Sequence, residues 1–257
     1  MAQKPYTFLQ WNCRGLRGNR EEVELMLNNF TPVAFCLQET KLKRKDEQTF
    51  KNYHTYYNST ESGNGGVAIF INENISHSQI PLSTEIQAVA VRIDIQQRKF
   101  SLCSIYIPPN NSSDVSIKDL HNLISQLPAP VILMGDFNAH SGAWGAIEDS
   151  PRGTVIEKFI LNEDLILLNN KHHTYFRSDY SSLLDLTLCH PSIYMDLECT
   201  VFDDTCGSDH CPIKLNFNTS DVLENERIPQ WNFKKANWSL FKQSCIRNIT
   251  PDKFNID

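Results

Sequence analysis

The chain has 257 residues, of which 40% are hydrophobic and 21% are charged. This is a globular composition, long enough for one large domain with a substantial core. The net charge of -6 at pH 7 argues against a protein that binds nucleic acid by bulk attraction, although a carboxylate cluster for a divalent metal would itself make a chain acidic.

Predicted strands and helices alternate from the N-terminus, without internal repeats. "TFLQWN" and "VAFCLQET" are predicted strands on either side of a helix in "REEVELMLNNF", where Val23, Met26, Leu27 and Phe30 recur at helical spacing. "GGVAIFIN" is a further strand. "IQAVAVRIDIQ" and "KFSLCSIYIP" alternate across a short polar turn, so they predict an antiparallel pair.

The second half of the chain continues the alternation. A second amphipathic helix is predicted over 117–127, and two prolines end it. The stretch "VILMGDFNAHSGAWG" begins as a buried strand, and a third helix is expected to start at Thr154, because Glu157 three residues later completes a capping-box pattern. "LILLN", "LLDLTL" and "CPIKLNF" are the last short buried strands.

These elements predict an α/β sandwich of mixed sheets covered by helices, since strands outnumber helices and occur both in hairpins and beside single helices. No glycine-rich nucleotide-binding loop is present in the sequence, which argues against a doubly wound nucleotide fold. After Phe217 the sequence becomes polar and loses strand alternation. We therefore place a domain in residues 4–218 and a linker entering a partly helical segment in 219–257.

The eight cysteines include no C-x-x-C pair, and a chain of this size needs no disulfides. Cys36 and Cys103 lie in apolar runs and are expected in the core. Cys206 and Cys211 flank His210 and suggest a zinc site, but a matching second pair of ligands is missing. No stretch has signal-peptide or membrane-spanning character, so we expect a reducing, intracellular location and no membrane partner.

Polar residues cluster at the ends of the predicted strands. Asp136 and Asn138, two apart, would point the same way from an extended strand, and Gly135 would let a ligand approach the backbone. Ligand sites in layered sheets gather at such ends. The residues in these positions are Asn12, Glu39, Tyr106, Asp136, Asn138, Asp185, Ser208, Asp209 and His210.

Each of these residues also has an ordinary structural explanation. An Asn or Asp at a strand end is most often a turn former or helix cap, Glu39 could pair with Lys41, and His210 could be a satisfied core histidine. Asp185 lies inside an apolar run, where a carboxylate needs a partner or a metal. Taken together, the set predicts one shared site.

The donor set is rich in oxygen, which indicates Mg²⁺ or Mn²⁺ rather than zinc. Glu39 is a natural ligand, and the remaining carboxylates are free for acid–base chemistry. A protonated His210 paired with an aspartate could stabilise negative charge on an attacked phosphate. The combination predicts metal-assisted phosphodiester hydrolysis.

The motifs "QWN", "LQET", "IYIPP", "GDFN", "LLDLTL" and "SDH", in this order, resemble the endonuclease/exonuclease/phosphatase superfamily, which includes apurinic endonucleases and pancreatic-type deoxyribonucleases. The resemblance covers roughly residues 5 to 218. It implies an α/β (α+β) four-layer sandwich, with two mixed, mostly antiparallel β-sheets packed face to face and helices outside.

A narrower resemblance is carried by "GDFNAHSGAWG", "RGTVIEKFILNEDLILLNN", "HHTYF" and "SSLLDLTL". Together they resemble the endonuclease domain at the start of the polyprotein of jockey-type non-LTR retrotransposons. "WNFKKANWSLF" resembles the segment that leads toward the reverse transcriptase of such elements, whose motifs this chain lacks.

The resemblance implies a role for each matched residue. Glu39 would bind the metal, with Asn12 and Asp209 nearby. Asp136 would activate the attacking water, and Asn138 would hold that water in line.

The same resemblance implies how the phosphate is bound. Asp185 would orient His210, and His210 would contact the scissile phosphate together with Tyr106 and the asparagine of "GDFN". Whether the aspartate of "GDFN" or Tyr106 is the activating base stays open. Thr174 and Ser208 match positions around the phosphate and the catalytic pair.

Arg14 and a basic run extend the predicted site. Cellular apurinic endonucleases usually have an acidic residue where this chain has Arg14, which agrees with the retroelement branch and argues against a second metal ligand. The run "KLKRK", with Lys41, Lys43 and Arg44, could bind DNA phosphates beside the site or could be a solvated loop.

We therefore expect an endonuclease dependent on Mg²⁺, with Mn²⁺ as a substitute, that nicks double-stranded DNA and leaves a 3′-hydroxyl. We expect a monomer, a nuclear or otherwise cytoplasmic location, and a reverse transcriptase domain in the parent element. The alternatives are a repair nuclease of the apurinic or deoxyribonuclease type, and a non-catalytic remnant that binds DNA or a partner. A phosphoinositide phosphatase or sphingomyelinase would carry different residues around Asp185.

Overall fold

The computed structural model describes residues 5–109, 115–219 and 238–248. These residues contain fourteen strands and four α-helices. The strands are β1 (Tyr6–Asn12), β2 (Ala34–Gln38), β3 (Tyr53–Asn58), β4 (Val67–Asn72), β5 (Ser76–Ile80), β6 (Gln87–Ile95), β7 (Arg98–Tyr106), β8 (Val131–Asp136), β9 (Ile166–Leu167), β10 (Tyr175–Arg177), β11 (Tyr180–Ser182), β12 (Asp185–Cys189), β13 (Leu197–Val201) and β14 (Ile213–Phe217). The helices are α1 (Arg20–Phe30), α2 (Ile117–Ser125), α3 (Pro151–Asn162) and α4 (Trp238–Asn248).

Twelve of the strands form two six-stranded sheets, with the orders β13-β14-β1-β2-β4-β3 and β5-β6-β7-β8-β12-β9. Each sheet has one parallel pair, β1–β2 and β7–β8, and the other pairs are antiparallel. A parallel pair needs a crossover, which α1 and α2 supply. The two parallel pairs end with Asn12 beside Gln38 and with Tyr106 beside Asp136.

The buried apolar side chains form three layers of core. Between the sheets, Phe8 packs edge-to-face on Phe100, with ring centroids 5.8 Å apart. The outer face of the first sheet packs on α1, where Trp11 and Met26 are buried together. The outer face of the second sheet packs on α2 and α3, among whose buried residues is Phe159. The architecture is therefore helix, sheet, sheet, helix, which confirms the predicted four-layer sandwich.

The predicted start of the third helix at Thr154 is wrong, because α3 begins three residues earlier, at Pro151. The hydroxyl of Ser150 is the N-cap and accepts a backbone N–H at 2.9 Å. The carboxylate of Glu157 accepts a hydrogen bond from the hydroxyl of Ser141 at 3.0 Å and takes no part in a cap. A spacing that matches a capping box thus serves a tertiary contact here.

The strands that the sequence pattern did not predict are β3, β5, β13 and the hairpin β10–β11. The first three are edge strands of their sheets. Their sequences, "YHTYYN", "SHSQI" and "LECTV", lack the long apolar runs of the central strands, and most of their residues are partly exposed. An edge strand needs a weaker apolar alternation than a central strand, because one side of it faces solvent.

The chain divides into two compact units, Met1–Thr219 and Ser220–Asp257. In the second unit the described residues form α4, where the rings of Trp238 and Phe241 are perpendicular, with centroids 5.9 Å apart. The predicted linker falls mainly in residues 220–237, which lie outside the described residues. None of the helices described is both long and apolar enough to cross a membrane.

Candidate active site

Side chains that face the space between the sheets are apolar along most of each strand and polar at one end. In β1, Phe8 is followed on the same face by Gln10 and Asn12, and in β8, Met134 is followed by Asp136. The parallel pairs of the two sheets place these polar ends near one another. The sequence alternation therefore builds one polar site at the edge of the inter-sheet core.

The side-chain amide of Asn12 contacts three other residues of the site. Its Nδ2 donates to Asp136 Oδ2 at 2.9 Å and to Glu39 Oε1 at 3.2 Å, and lies 3.4 Å from His210 Nε2. The hydroxyl of Tyr106 also donates to Glu39 Oε1, at 3.1 Å. Residues from three strands and two loops, far apart in the sequence, thus meet around one amide.

His210 lies between two carboxylates. Its Nδ1 is 2.6 Å from Asp185 Oδ2, and its Nε2 is 3.9 Å from Asp136 Oδ2. Burial lowers the pKa of His210, but the charge and hydrogen bond of Asp185 outweigh burial and bring it to about 9. Burial and then the charge of Asp185 raise the pKa of Asp136 to about 7, against the opposing charge of His210. The histidine is therefore an imidazolium at neutral pH.

Within the described residues, one group of three or more histidine, cysteine or acidic side chains has ligand atoms that converge closely enough to hold a metal ion. It consists of Asp136, Asp185 and His210. A protonated imidazole has no lone pair for a metal. This group is thus suited to holding a proton. Cys206 and Cys211 do not belong to it, so the suggested zinc site gains no support from the described geometry.

Glu39 has the properties of a cation ligand. Burial raises its pKa, but hydrogen bonds from Lys41 and Asn12 outweigh burial, so the pKa lies below its ordinary value and the carboxylate is ionised. Its Oε2 is 2.9 Å from Lys41 Nζ, an ammonium at the edge of the site. Asp209 is likewise paired with a cation, Arg14, at 3.0 Å. An ionised, partly exposed carboxylate that already attracts a cation fits an oxygen-ligated divalent ion.

Asp136 and Asn138 meet, but not by strand alternation as the sequence suggested. Asn138 has a φ of 46°, so the chain has left the extended conformation, and its backbone N–H and Nδ2 donate to the two oxygens of Asp136 at 2.9 and 3.0 Å. The expected role of Gly135 is wrong. A Cβ there would lie 2.0 Å from the carbonyl oxygen of Ile105, so the glycine makes room for strand β7 and not for a ligand.

The hydroxyls of Thr174 and Ser208 bond backbone groups of residues at the site. Thr174 is fully buried, and its hydroxyl accepts the backbone N–H groups of Leu184 and Asp185 at 3.2 and 3.1 Å. The hydroxyl of Ser208 donates to the carbonyl of Asn12 at 2.8 Å. Thr174 therefore fixes the start of β12 and is not accessible to a substrate.

The predicted basic residues lie on the surface, and two of them, Arg14 and Lys41, pair with carboxylates of this site. Arg14 follows β1, and the others follow β2, where a single 3₁₀ turn spans Arg44–Asp46. All four predicted basic residues are exposed: Arg14, Lys41, Lys43 and Arg44. Exposed cations of this kind can contact the phosphates of a nucleic-acid backbone.

Sequence reasoning missed three residues that contact the site. Gln10 donates to Asp185, Arg152 is buried and donates to the carbonyl of Asn138 at 3.1 Å, and the ring of Tyr175 lies 5.0 Å from that of His210. Strand alternation could have found Gln10, because it shares a face with the asparagine of "QWN". No local pattern marks a buried arginine that follows a proline.

Comparisons with known proteins agree with this geometry. The family model Exo_endo_phos_2, described as endonuclease-reverse transcriptase, matches residues 100–214. The RNA-directed DNA polymerase from mobile element jockey of Drosophila melanogaster is 24% identical over 239 residues, which cover 89% of this chain and 25% of that protein. The probable RNA-directed DNA polymerase from transposon X-element of the same species is 25% identical over 257 residues, 96% of this chain and 28% of that protein. The chain is therefore similar to about a quarter of each of these two transposable-element proteins.

Solved structures show the same fold as this chain. The endonuclease domain of TRAS1, a telomere-specific non-LTR retrotransposon, matches with a TM-score of 0.72 at 24% identity, over 83% of this chain and 98% of that domain. An AP endonuclease from Archaeoglobus fulgidus matches with a TM-score of 0.62 at 16% identity, over 83% of this chain and all of that one. The predicted resemblance is confirmed, and the chain spans about a quarter of the length of the two curated retroelement proteins.

Proposed function

We propose that this chain is a divalent-metal-dependent endonuclease that nicks one strand of double-stranded DNA and leaves a 3′-hydroxyl, as in target-primed retrotransposition. One observation carries the proposal. The amide of Asn12 bonds both Glu39 and Asp136 and lies 3.4 Å from His210, so a candidate metal ligand, a base and a cationic group share one site.

The metal would be held by Glu39, with Asn12 and Asp209 nearby. Mg²⁺ is the expected ion and Mn²⁺ a substitute, because the side chains offer oxygen and few other donors. A bound divalent cation would neutralise charge on the attacked phosphate. Glu39 also accepts hydrogen bonds from Asn12 and Tyr106, so it is the residue on which metal affinity should depend most.

Asp136 would remove the proton of the attacking water. Its carboxylate accepts hydrogen bonds from the side chain of Asn12 and from the backbone and side chain of Asn138, which orient it. Tyr106 is the less suitable base. Burial and then the charge of Glu39 raise the pKa of its hydroxyl, so Tyr106 stays protonated and donates. It would contact the scissile phosphate as a donor.

His210 would donate to the phosphate through Nε2. Asp185 binds Nδ1 and keeps the ring charged and oriented, which places positive charge where negative charge grows in the transition state. Arg14, Lys41 and Lys43 would contact neighbouring DNA phosphates.

The parent protein would continue into a reverse transcriptase, as the curated relatives do by name. Residues 219–257 would form the connection, and the domain would act as a monomer. Action on chromosomal DNA would require a nuclear location.

A plasmid assay tests the proposal. Purified protein with Mg²⁺ should convert supercoiled plasmid to open circles with 3′-hydroxyl ends, and chelation should stop the conversion. Asp136→Ala and His210→Ala should abolish nicking, whereas Asp94→Ala, at the end of β6 away from Tyr106, should not. Binding of plasmid without nicking would support a non-catalytic remnant, and preferential cleavage of abasic oligonucleotides would support a repair nuclease.

A further inference from the structure

Gln10 contacts Asp185, which forms a pair with His210 that we call the catalytic pair, from inside the core. It lies in β1 on the same face as Asn12 and is fully buried. Its Nε2 donates to Asp185 Oδ1 at 3.3 Å, while Asp185 Oδ2 faces His210 Nδ1 at 2.6 Å. The two oxygens of one carboxylate are thus held from opposite sides.

The side-chain oxygen of Gln10 lowers the stability of the fold. Its Oε1 is buried and has no hydrogen-bond partner in the described part of the chain. A buried carbonyl without a partner carries a desolvation cost that an apolar residue of the same shape avoids. A methionine would therefore serve the core at least as well, and the benefit of the glutamine must lie in its one hydrogen bond.

We propose that Gln10 is a positioning residue that fixes the rotation of the Asp185 carboxylate, so that Oδ2 stays directed at His210. A carboxylate rotates through a broad, shallow torsional profile, so one hydrogen bond at Oδ2 leaves its plane loosely defined. A donor at Oδ1 removes that freedom. This inference rests on the proposed nuclease function for its kinetic test, but not for its spectroscopic test.

The neighbouring strand offers a matched control. Gln38 lies in β2, is also fully buried, and also has an Oε1 without a partner among the described residues. Its Nε2 donates to the hydroxyl of Ser104 at 2.9 Å and not to the catalytic pair. Gln38→Met therefore makes the same chemical change in the same core, without touching Asp185.

Three measurements on Gln10→Met and Gln38→Met test the proposal. Plasmid nicking should show kcat lowered about tenfold by Gln10→Met, the size expected for losing one hydrogen bond to a charged group, with KM for DNA little changed. Gln38→Met should keep the wild-type kcat. Neither variant should unfold at a lower temperature. The ¹⁵N resonance of His210 Nδ1 should move in Gln10→Met and stay in place in Gln38→Met.

A double variant gives the decisive comparison. In an Asp185→Ala background, Gln10→Met should cause no further loss of kcat, because its partner is gone. Equal losses of kcat in both glutamine variants, or an unchanged His210 resonance in Gln10→Met, would overturn the positioning role. A wild type that fails to nick would refute the proposed function alone, since the resonance still reports whether Gln10 orients the pair.

Discussion

Replacing Asp185 with asparagine isolates the electrostatic part of the site, because the side chain keeps its shape and loses its charge. The pKa of His210 is about 9, although burial by itself lowers it. Relative to an ordinary histidine, this corresponds to about 3 kcal/mol in favour of the charged ring. Without the charge of Asp185, the pKa should fall to about 7 or lower. At pH 8 the protonated fraction would then drop from about nine tenths to about one tenth.

The nicking rate should follow that fraction. Asp185→Asn should be at least about tenfold slower than wild type at pH 8, and the ratio should shrink toward pH 6, where both rings carry the proton. Histidine NMR titration gives the pKa of His210 directly, and plasmid nicking from pH 6 to 9 gives the rates. Asp94→Asn is the control for removal of a surface charge. An unchanged pKa, or the same rate ratio at pH 6 and pH 8, would refute the reasoning.

The same pair predicts how stability depends on pH. The pKa of His210 is higher in the folded chain than its ordinary value, so the pair stabilises the fold fully below about pH 6.5, and this contribution is lost as the pH rises through about 9. Urea denaturation across this range should show wild-type stability falling. Asp185→Asn should show a flatter profile, and a slope identical to that of wild type would contradict the assignment.

Three further predictions concern the helix cap, the sheet and the surface. Ser150→Ala should lower the free energy of unfolding by about 1 kcal/mol in urea denaturation, because it removes the observed N-cap of α3. Thr154→Ala should be nearly neutral, and a larger loss for Thr154→Ala than for Ser150→Ala would support the helix start predicted from the sequence. Gly135→Ala should prevent folding or lower the free energy of unfolding by several kcal/mol, because its Cβ would meet the backbone of β7. Gly142→Ala is the control, because a Cβ there meets nothing closer than 3.8 Å. Circular dichroism and thermal unfolding of both variants test this difference. Lys43→Ala should weaken DNA binding and reduce the slope of log affinity against log salt by about 1, and an unchanged slope would show that this lysine makes no phosphate contact.

The sequence was sufficient for the central parts of the fold. Central strands such as β4 and β8 are buried on both faces and carry uninterrupted apolar runs, and α1 buries Val23, Met26 and Leu27 at helical spacing. Edge strands escaped prediction because solvent on one side removes the need for such a pattern. The start of α3 was mispredicted because two residues at cap spacing make different contacts in the folded chain.

The ordered motifs alone predicted most of the polar residues that the structure brings together, because their residue types and positions at strand ends are local properties of the sequence. Only the tertiary structure decided what each one touches. Gln10 and Asp185 are separated by 175 positions, and Asn12 and His210 by 198. Hydrogen bonds between such residues leave no period or spacing in the sequence, so the contact of Gln10 with Asp185 and the purpose of Gly135 emerge only when the two sheets pack.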